Sequence, residues 1–324
     1  MNRLGCAGAI LLAWCIAPAN AQSWPTHPVT MVVPFAAGGP TDAIARIVAE
    51  HMSNSLGQQI LIENAAGAGG TTATARVAKS PPDGYTIMMG QMGTHATAPA
   101  LYPRLRYNPA TDFEPIGMAA MAPILIVARK DLPPGNLKEF IAYARENATS
   151  LNEAHAGVGS ISYTSCTLLN AALGLDITQV AYRGTGPALN DLIAGQVDVM
   201  CDQIVTYVEQ VKGGTIKAYA IASDERSQAL PDVPTTREAG LPDLQITAWS
   251  ALFAPKGTPS DLVEKLNAAL DKALDDASVR NRLMGQGGVV PPKAERSAAW
   301  LQAFVLREIE RLTPLLQAAL AEKK

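Results

Sequence analysis

The chain repeats a unit in which a short apolar run is followed by small residues and then by apolar positions at helical spacing. In the first unit, residues 29–33 are β-branched or apolar, and residues 36–39 are all alanine or glycine. Pro40 suits a first helical turn, Gly57 suits a helix end, and helical spacing relates Ile44, Ile47, Val48, Met52 and Leu56. This pattern predicts a buried strand, a tight loop and an amphipathic helix.

The same order of strand, loop and helix recurs along the chain. Further strands are predicted at 59–62, 85–89, 123–128, 152–156, 177–182, 197–200, 216–222 and 247–254. Further helices are predicted at 71–79, 96–101, 137–146, 163–173, 188–194, 205–211, 260–274 and 296–320. Pro314 is expected to bend or split the last of them. The alternation indicates an α/β fold with a mostly parallel sheet, and its two blocks predict two lobes with a ligand cleft between them.

Composition narrows the class of protein. The chain has 324 residues, of which 48% are hydrophobic and 17% charged, and its 26 basic and 29 acidic residues give a net charge of -3. These values are typical of a globular protein of about two domains. Because no basic stripe is present, nucleic acid is not an expected partner.

The first 21 residues are predicted to be a cleaved signal peptide. Arg3 precedes an apolar run at 7–16, and residues 19–21 form a small-x-small cleavage site. The run is short for a membrane span, and no later segment is apolar enough for one. Lipid attachment at Cys15 is the alternative, but bulky Trp14 disfavours it. We therefore expect a protein exported without an anchor of its own.

Two cysteines, Cys166 and Cys201, remain after cleavage. In an oxidising compartment they form either a disulfide or two buried thiols, and the sequence leaves both open. Neither has a histidine at metal-ligand spacing, so no metal site is expected.

The loop at 35–42 is the main candidate for binding. Its small residues leave backbone N–H groups open at the positive end of a helix, which predicts an anion cradle. Neither G-x-G-x-x-G nor G-K-[ST] is present, so a nucleotide cofactor is not expected. Asp42 is expected to cap the helix rather than contact the ligand.

Each of the other candidate side chains has either a ligand-binding role or a purely structural one. Ser160 and Ser162 either cap a helix or donate hydroxyl groups, and the guanidinium of Arg183 either pairs with a carboxylate or lies on the surface. Asp202 would accept a hydrogen bond from a ligand, and His95 would either donate one or be structural. Because G-x-S-x-G and paired catalytic carboxylates are absent, we expect no catalytic residues and a binding protein rather than an enzyme.

Six motifs carry a family resemblance: residues 32–42, 63–70, 94–102, 180–188, 195–202 and 253–259. Together they resemble the Bug family, the TctC-type periplasmic substrate-binding proteins of tripartite tricarboxylate transporters. The resemblance implies a two-lobed type II periplasmic binding fold, with lobe I at 22–125 and 246–324, lobe II at 126–245, and crossovers near 123–128 and 246–254. It implies a periplasmic protein, which we expect to be a monomer. Its ligand would be a small di- or tricarboxylate or aromatic acid, delivered to the permease subunits.

The resemblance also implies a set of ligand-binding residues. On the first loop these are Phe35, Ala36, Ala37, Gly38, Gly39 and Thr41. On the facing side they are Thr94, His95, Ser160, Ile161, Ser162, Arg183, Gly184, Thr185 and Asp202. The chain departs from the family at Asn64-Ala-Ala-Gly, which lacks a usual basic residue, and at Cys201, where phenylalanine is frequent. These departures leave the ligand open. The alternative functions are ligand presentation to a sensor kinase and, in another class, an exported carboxylate hydrolase or lyase.

Overall fold

One long strand, β4 (Phe113–Arg129), connects the two halves of the structure. The computed structural model describes residues 24–321, so the predicted signal peptide lies outside the described residues. The other strands are β1 (Val29–Val33), β2 (Ile60–Asn64), β3 (Thr86–Gln91), β5 (Asn152–His155), β6 (Thr178–Ala181), β7 (Val199–Gln203), β8 (Ile216–Ile221) and β9 (Thr247–Pro255). They follow the order β2-β1-β3-β9-β4-β7-β5-β6, and β8 also pairs with β4.

Ten α-helices cover this sheet within residues 24–321. They are α1 (Pro40–Leu56), α2 (Thr71–Val77), α3 (Ala98–Leu101), α4 (Leu137–Asn147), α5 (Ile161–Leu173), α6 (Thr185–Ile193), α7 (Val208–Lys212), α8 (Ser260–Asp275), α9 (Ala277–Gly285) and α10 (Ala298–Ala321). A π-helical turn, Gly93–Thr97, precedes α3. No helix of this part of the chain is long and apolar enough to cross a bilayer.

The α/β prediction is confirmed, and the strand pairing shows two lobes. Along residues 113–123, β4 pairs with β9, whereas along residues 124–129 it pairs with β7 and β8. The sheet therefore changes partners near Pro123, next to the start of β9 at Thr247. The lobe boundaries after residues 125 and 245 stay predictions.

The sheet is mixed, so the prediction of a mostly parallel sheet was wrong. The pairings of β1 with β2 and β3, and of β5 with β6 and β7, are parallel. All pairings of β4 and β9 are antiparallel. The antiparallel pairs lie where the chain crosses from one lobe to the other, and the parallel pairs belong to the strand–helix repeats that the apolar pattern predicted.

The apolar strands lie between two cores. Met31 and Val33 of β1 belong to the core that α1 and α8 cover, and Val32 between them belongs to the core on the other face. Because alternate side chains of a strand point to opposite faces, a strand between two layers of helices must be apolar throughout. The buried β1 thereby fixes the position of the loop that follows it.

Most predicted elements lie within a few residues of their observed bounds, and the differences have local reasons. The prediction missed the first ten residues of β4, the whole of α9, and residues 93–95 of the helical turn Gly93–Thr97, which were predicted as part of a loop. The last helix continues through Pro314 rather than splitting there. Gly57 ends α1 as predicted, with a φ of 70°.

Candidate functional site

Three helices begin at one cavity between the two lobes. They are α1, α5 and α6, which start after Gly39, Ser160 and Gly184. The cavity is small, and it is lined by Phe35, Gly39, Pro40, Thr41, Asp42, Gln91, Ala156, Ser160, Ile161, Ser162, Thr185, Asp202 and Gln203. No side chain of the described residues caps α1 or α6. Their first N–H groups are therefore open donors at positive helix ends.

The loop between β1 and α1 is held in place by Asp42. Its carboxylate accepts hydrogen bonds from the backbone N–H of Gly38 at 3.0 Å, Nε of Arg46 at 3.0 Å and Nδ2 of Asn64 at 2.9 Å. Asn64 Nδ2 also donates to the carbonyl of Phe35 at 3.1 Å. Burial raises the pKa of Asp42, but the bonds from Arg46, Gly38 and Asn64 outweigh it and leave the pKa lowered. Asp42 thus orders the loop before α1 without capping the first turn of the helix, and it also lines the cavity.

Not every N–H of this loop is available to a ligand. The N–H of Gly38 is bound by Asp42, and that of Ala36 donates to the carbonyl of Arg183 in the other lobe at 3.3 Å. Ala37 and Gly38 are exposed and line a separate groove, together with Gly186. The cradle facing the cavity is therefore narrower than the sequence suggested, and it consists of Phe35, Gly39 and Thr41 with the start of α1.

The serines at the start of α5 are engaged with each other and with the backbone. Ser160 Oγ accepts from the N–H of Tyr163 at 3.1 Å, which makes it a helix cap, and it lies 3.1 Å from Ser162 Oγ. Ser162 Oγ accepts from the N–H of Ala156 at 2.9 Å. The nearby His155 accepts from the N–H of Gly157 through Nδ1. This arrangement positions hydroxyl groups at the cavity.

Asp202 and Gln203 place acceptors on the opposite side of the cavity. Both are 2% exposed. Asp202 accepts from Thr185 Oγ1 at 2.5 Å and from the N–H of Gln203 at 2.8 Å, and burial raises its pKa to about 6. Oε1 of Gln203 is buried without a hydrogen-bond partner among the described residues. Gln203 was not among the predicted site residues, although it directly follows Asp202 at the same strand end.

Besides Ala36, Ala37 and Gly38, four more of the candidate residues do not line the cavity: Thr94, His95, Arg183 and Gly184. Thr94 and His95 are fully buried, and the imidazole stacks on Phe253 with 3.9 Å between ring centroids. Burial lowers the pKa of His95 to about 3, which keeps the ring neutral. His95 therefore has the structural role that was its alternative to ligand binding. Gln91, which the sequence analysis did not select, lines the cavity from the end of β3 instead.

Arg183 and Gly184 contact the facing loop through their backbone. The side chain of Arg183 is exposed, so its guanidinium is not part of the cavity. A Cβ atom on Gly184 would lie 3.0 Å from the backbone N of Ala36. The close approach of the two loops therefore requires a small residue here, and the expected charge pairing through Arg183 has no support in this geometry.

Replacing Asp42 with asparagine is expected to weaken ligand binding about tenfold. The amide lacks the second carboxylate oxygen that accepts from Gly38 and Arg46, and hydrogen bonds to charged groups contribute roughly 1.5–3 kcal/mol each. Part of this lost free energy lowers the stability of the folded protein, and part of it lowers the order of the loop. Calorimetric titration of both proteins measures the change. Glu63→Gln is the matched control, because Glu63 pairs with Arg76 on the surface, one residue before Asn64. Equal losses in the two variants would contradict the assigned role.

Comparisons with known proteins identify the family of this chain. The family model of the tripartite tricarboxylate transporter family receptor, TctC, matches residues 44–319. MatC from Rhodopseudomonas palustris, solved with bound malate, is 51% identical, with a TM-score of 0.88 over 90% of this chain and 100% of that chain. BugD is 43% identical, with a TM-score of 0.89 over 91% of this chain and 98% of that chain. An R. palustris protein solved with adipate is 35% identical, with a TM-score of 0.87 over 92% and 98% of the two chains.

These matches cover nearly the whole described structure and carry the family assignment. The family and its structural relatives are solute-binding proteins, which confirms the expectation of a binding protein rather than an enzyme. They also confirm the two-lobed periplasmic binding fold with its ligand cleft between the lobes. The chain belongs to the TctC family of tripartite tricarboxylate transporter receptors, as the Bug-type motifs of its sequence predicted.

Proposed function

We propose that this protein captures a small hydroxy-dicarboxylate in the periplasm and delivers it to the permease subunits of a tripartite tricarboxylate transporter. The observation that carries the proposal is the convergence of three helix N-termini on one cavity. None of the thirteen residues that line it, as the structure describes them, is Lys, Arg or His. An anion in this cavity is therefore held by backbone N–H groups and hydroxyl groups, each helix end supplying about half a positive charge.

The acceptors opposite these donors narrow the ligand class. Oε1 of Gln203 is buried at the cavity without a partner among the described residues, and it requires a hydrogen-bond donor from the ligand because an unpaired buried acceptor costs roughly 1–3 kcal/mol. Both carboxylate oxygens of Asp202 already accept one bond each, and each has a lone pair left for a further donor. An ionised dicarboxylate has no donor of its own, whereas a hydroxyl group beside the carboxylate supplies one. The malate bound to MatC is such a compound and supports this choice.

Ligand capture would proceed by closure of the two lobes. In the structure the lobes meet through the Ala36–Arg183 backbone bond and through Tyr102, whose hydroxyl donates to the carbonyl of Val158 at 2.5 Å. The same hydroxyl lies 2.9 Å from the carbonyl of Ala68. These contacts join the predicted lobes around the cavity, so an open form would have to break them for the ligand to enter.

Calorimetric titration with malate and succinate tests the proposal. We expect malate to bind about tenfold more tightly, because its hydroxyl adds a hydrogen bond worth about 1.5 kcal/mol to buried acceptors. Gln203→Met, which keeps the side-chain length and removes the amide, should reduce this preference. Equal affinity for the two acids would contradict only the proposed recognition of a ligand hydroxyl group. The absence of binding by any di- or tricarboxylate, with binding by an aromatic acid instead, would contradict the ligand class.

A product assay separates this function from the enzyme alternative. After incubation with malate, proton NMR should show the acid unchanged, because the family and its structural relatives are solute-binding proteins. Turnover above a buffer control would contradict the proposed function.

A further inference from the structure

A buried cluster of polar groups lies behind the ligand cavity in the second lobe. Cys166 on α5, Cys201 on β7 and Glu153 on β5 are 0–1% exposed, and their Sγ and carboxylate oxygen atoms lie within 4.8 Å of one another. Both cysteines are free thiols in the structure. The carboxylate of Glu153 accepts from Asn170 Nδ2 at 2.8 Å, and Cys201 Sγ lies 3.9 Å from its other oxygen. The function proposed above uses none of these groups.

We propose that Cys166 and Cys201 are a disulfide-forming pair that becomes oxidised when the protein folds in the exported compartment. A helix and a strand in direct contact, α5 and β7, carry the two thiols, and their sulfur atoms lie within 4.8 Å of each other. An oxidising compartment favours the disulfide over the two thiols. The proposal does not depend on the identity of the ligand.

The reaction is thiol–disulfide exchange with a small-molecule or protein disulfide. The two S–H bonds of Cys166 and Cys201 break and one S–S bond forms between them, while two electrons and two protons pass to the oxidant, whose own S–S bond is reduced to two thiols. Burial raises the pKa of the Cys166 thiol, with a further contribution from Cys201. In the folded protein few of these thiols are therefore ionised, and they are shielded from solvent. We therefore expect the thiols to be oxidised while the protein folds and the disulfide to persist afterwards.

The bond would join two elements that supply ligand-binding groups. Cys166 lies one helical turn after Ser162 on α5, and Cys201 directly precedes Asp202 on β7. Both Ser162 and Asp202 line the cavity. A disulfide here would fix the start of α5 relative to the acceptor side of the site, and it would close a loop that contains β6 and α6.

Peptide mapping of the full chain exported from a bacterial host tests the proposal. Free thiols are alkylated under denaturing conditions without reductant, and the protein is then digested with trypsin. Cleavage at Arg145, Arg183 and Lys212 places the two cysteines in separate peptides, 146–183 and 184–212. We expect these peptides to be linked and to separate on reduction. Recovery of both as unlinked, alkylated peptides would overturn the proposal. So would a stoichiometric zinc ion whose removal by a chelator exposes both thiols.

Thermal unfolding gives a second, independent measurement. The exported protein should melt roughly 5–10 °C above the same chain refolded with reductant, because the closed loop restricts the unfolded state. The Cys166→Ser/Cys201→Ser variant should show no difference between the two treatments. An equal melting temperature for the oxidised and reduced wild-type protein, or a difference that survives in the double variant, would count against the cross-link.

Discussion

Replacing Gly186 with alanine is expected to lower ligand affinity about a hundredfold without loss of stability in the unliganded protein. A Cβ atom at this position would lie 2.6 Å from the carbonyl oxygen of Ala37 in the facing loop, well inside van der Waals contact. Overpacking of this kind costs typically 1–3 kcal/mol, and a hundredfold change in affinity corresponds to about 2.7 kcal/mol. The backbone of Gly186 is not left-handed, and alanine favours a helical position, so α6 itself tolerates the change.

The clash therefore disfavours closure of the two lobes rather than folding of the chain. Calorimetry measures the effect on ligand binding, and thermal unfolding measures the effect on stability. Gly285→Ala is the matched control, because nothing lies within 4 Å of a Cβ atom there and Gly285 does not line the ligand cavity. If Gly186→Ala binds as tightly as the control, then the closed arrangement of the two loops is not the one that holds the ligand. If it unfolds at a lower temperature than the control, the contact is needed for the fold itself.

The parts of the site that could be predicted from sequence are those with local causes. A strand end, a run of small residues and Pro40 specify the loop before α1, whatever the rest of the chain does. The same holds for the starts of α5 and α6, where Ser160 and Gly184 lie at the helix caps as the loops before them suggested. Because loops after the carboxyl ends of parallel strands line the ligand crevice of open α/β sheets, the cleft itself was predictable.

The parts that could not be predicted depend on contacts between distant segments. His95 is excluded from the cavity because Phe113 and Phe253, from β4 and β9, enclose its ring. The first ten residues of β4 include Pro115 and Gly117 and have weak strand propensity, so only pairing with β9 makes them a strand. Gln203 has no local signal beyond its place after Asp202.

Asp202 is where stability and binding are expected to oppose each other most strongly. Its pKa of about 6, against an ordinary value of 3.8, means that the folded state holds the proton more tightly than the unfolded state. The corresponding stability is fully present below pH 4 and is lost as the pH rises through 6. With 1.36 kcal/mol for each pKa unit, the charged carboxylate costs roughly 3 kcal/mol at neutral pH.

Asp202→Asn should therefore be more stable than the wild type at pH 7, by roughly 2–3 kcal/mol, and the gain should disappear near pH 4. Denaturant unfolding at several pH values measures this difference. Asp232→Asn, which removes an exposed carboxylate, is the control and should change stability by less than about 0.5 kcal/mol at either pH.

The same variant should lose the preference for a hydroxylated ligand. At neutral pH the ionised Asp202 accepts from the ligand hydroxyl under the proposed function, and its charge also repels a bound carboxylate. Removing the charge should weaken malate binding about tenfold and leave succinate binding unchanged or stronger, since hydrogen bonds to charged groups contribute roughly 1.5–3 kcal/mol. The variant could instead be more stable and still prefer malate. In that case the buried Asp202 would serve only its contact with Thr185, and Gln203 alone would recognise the ligand hydroxyl.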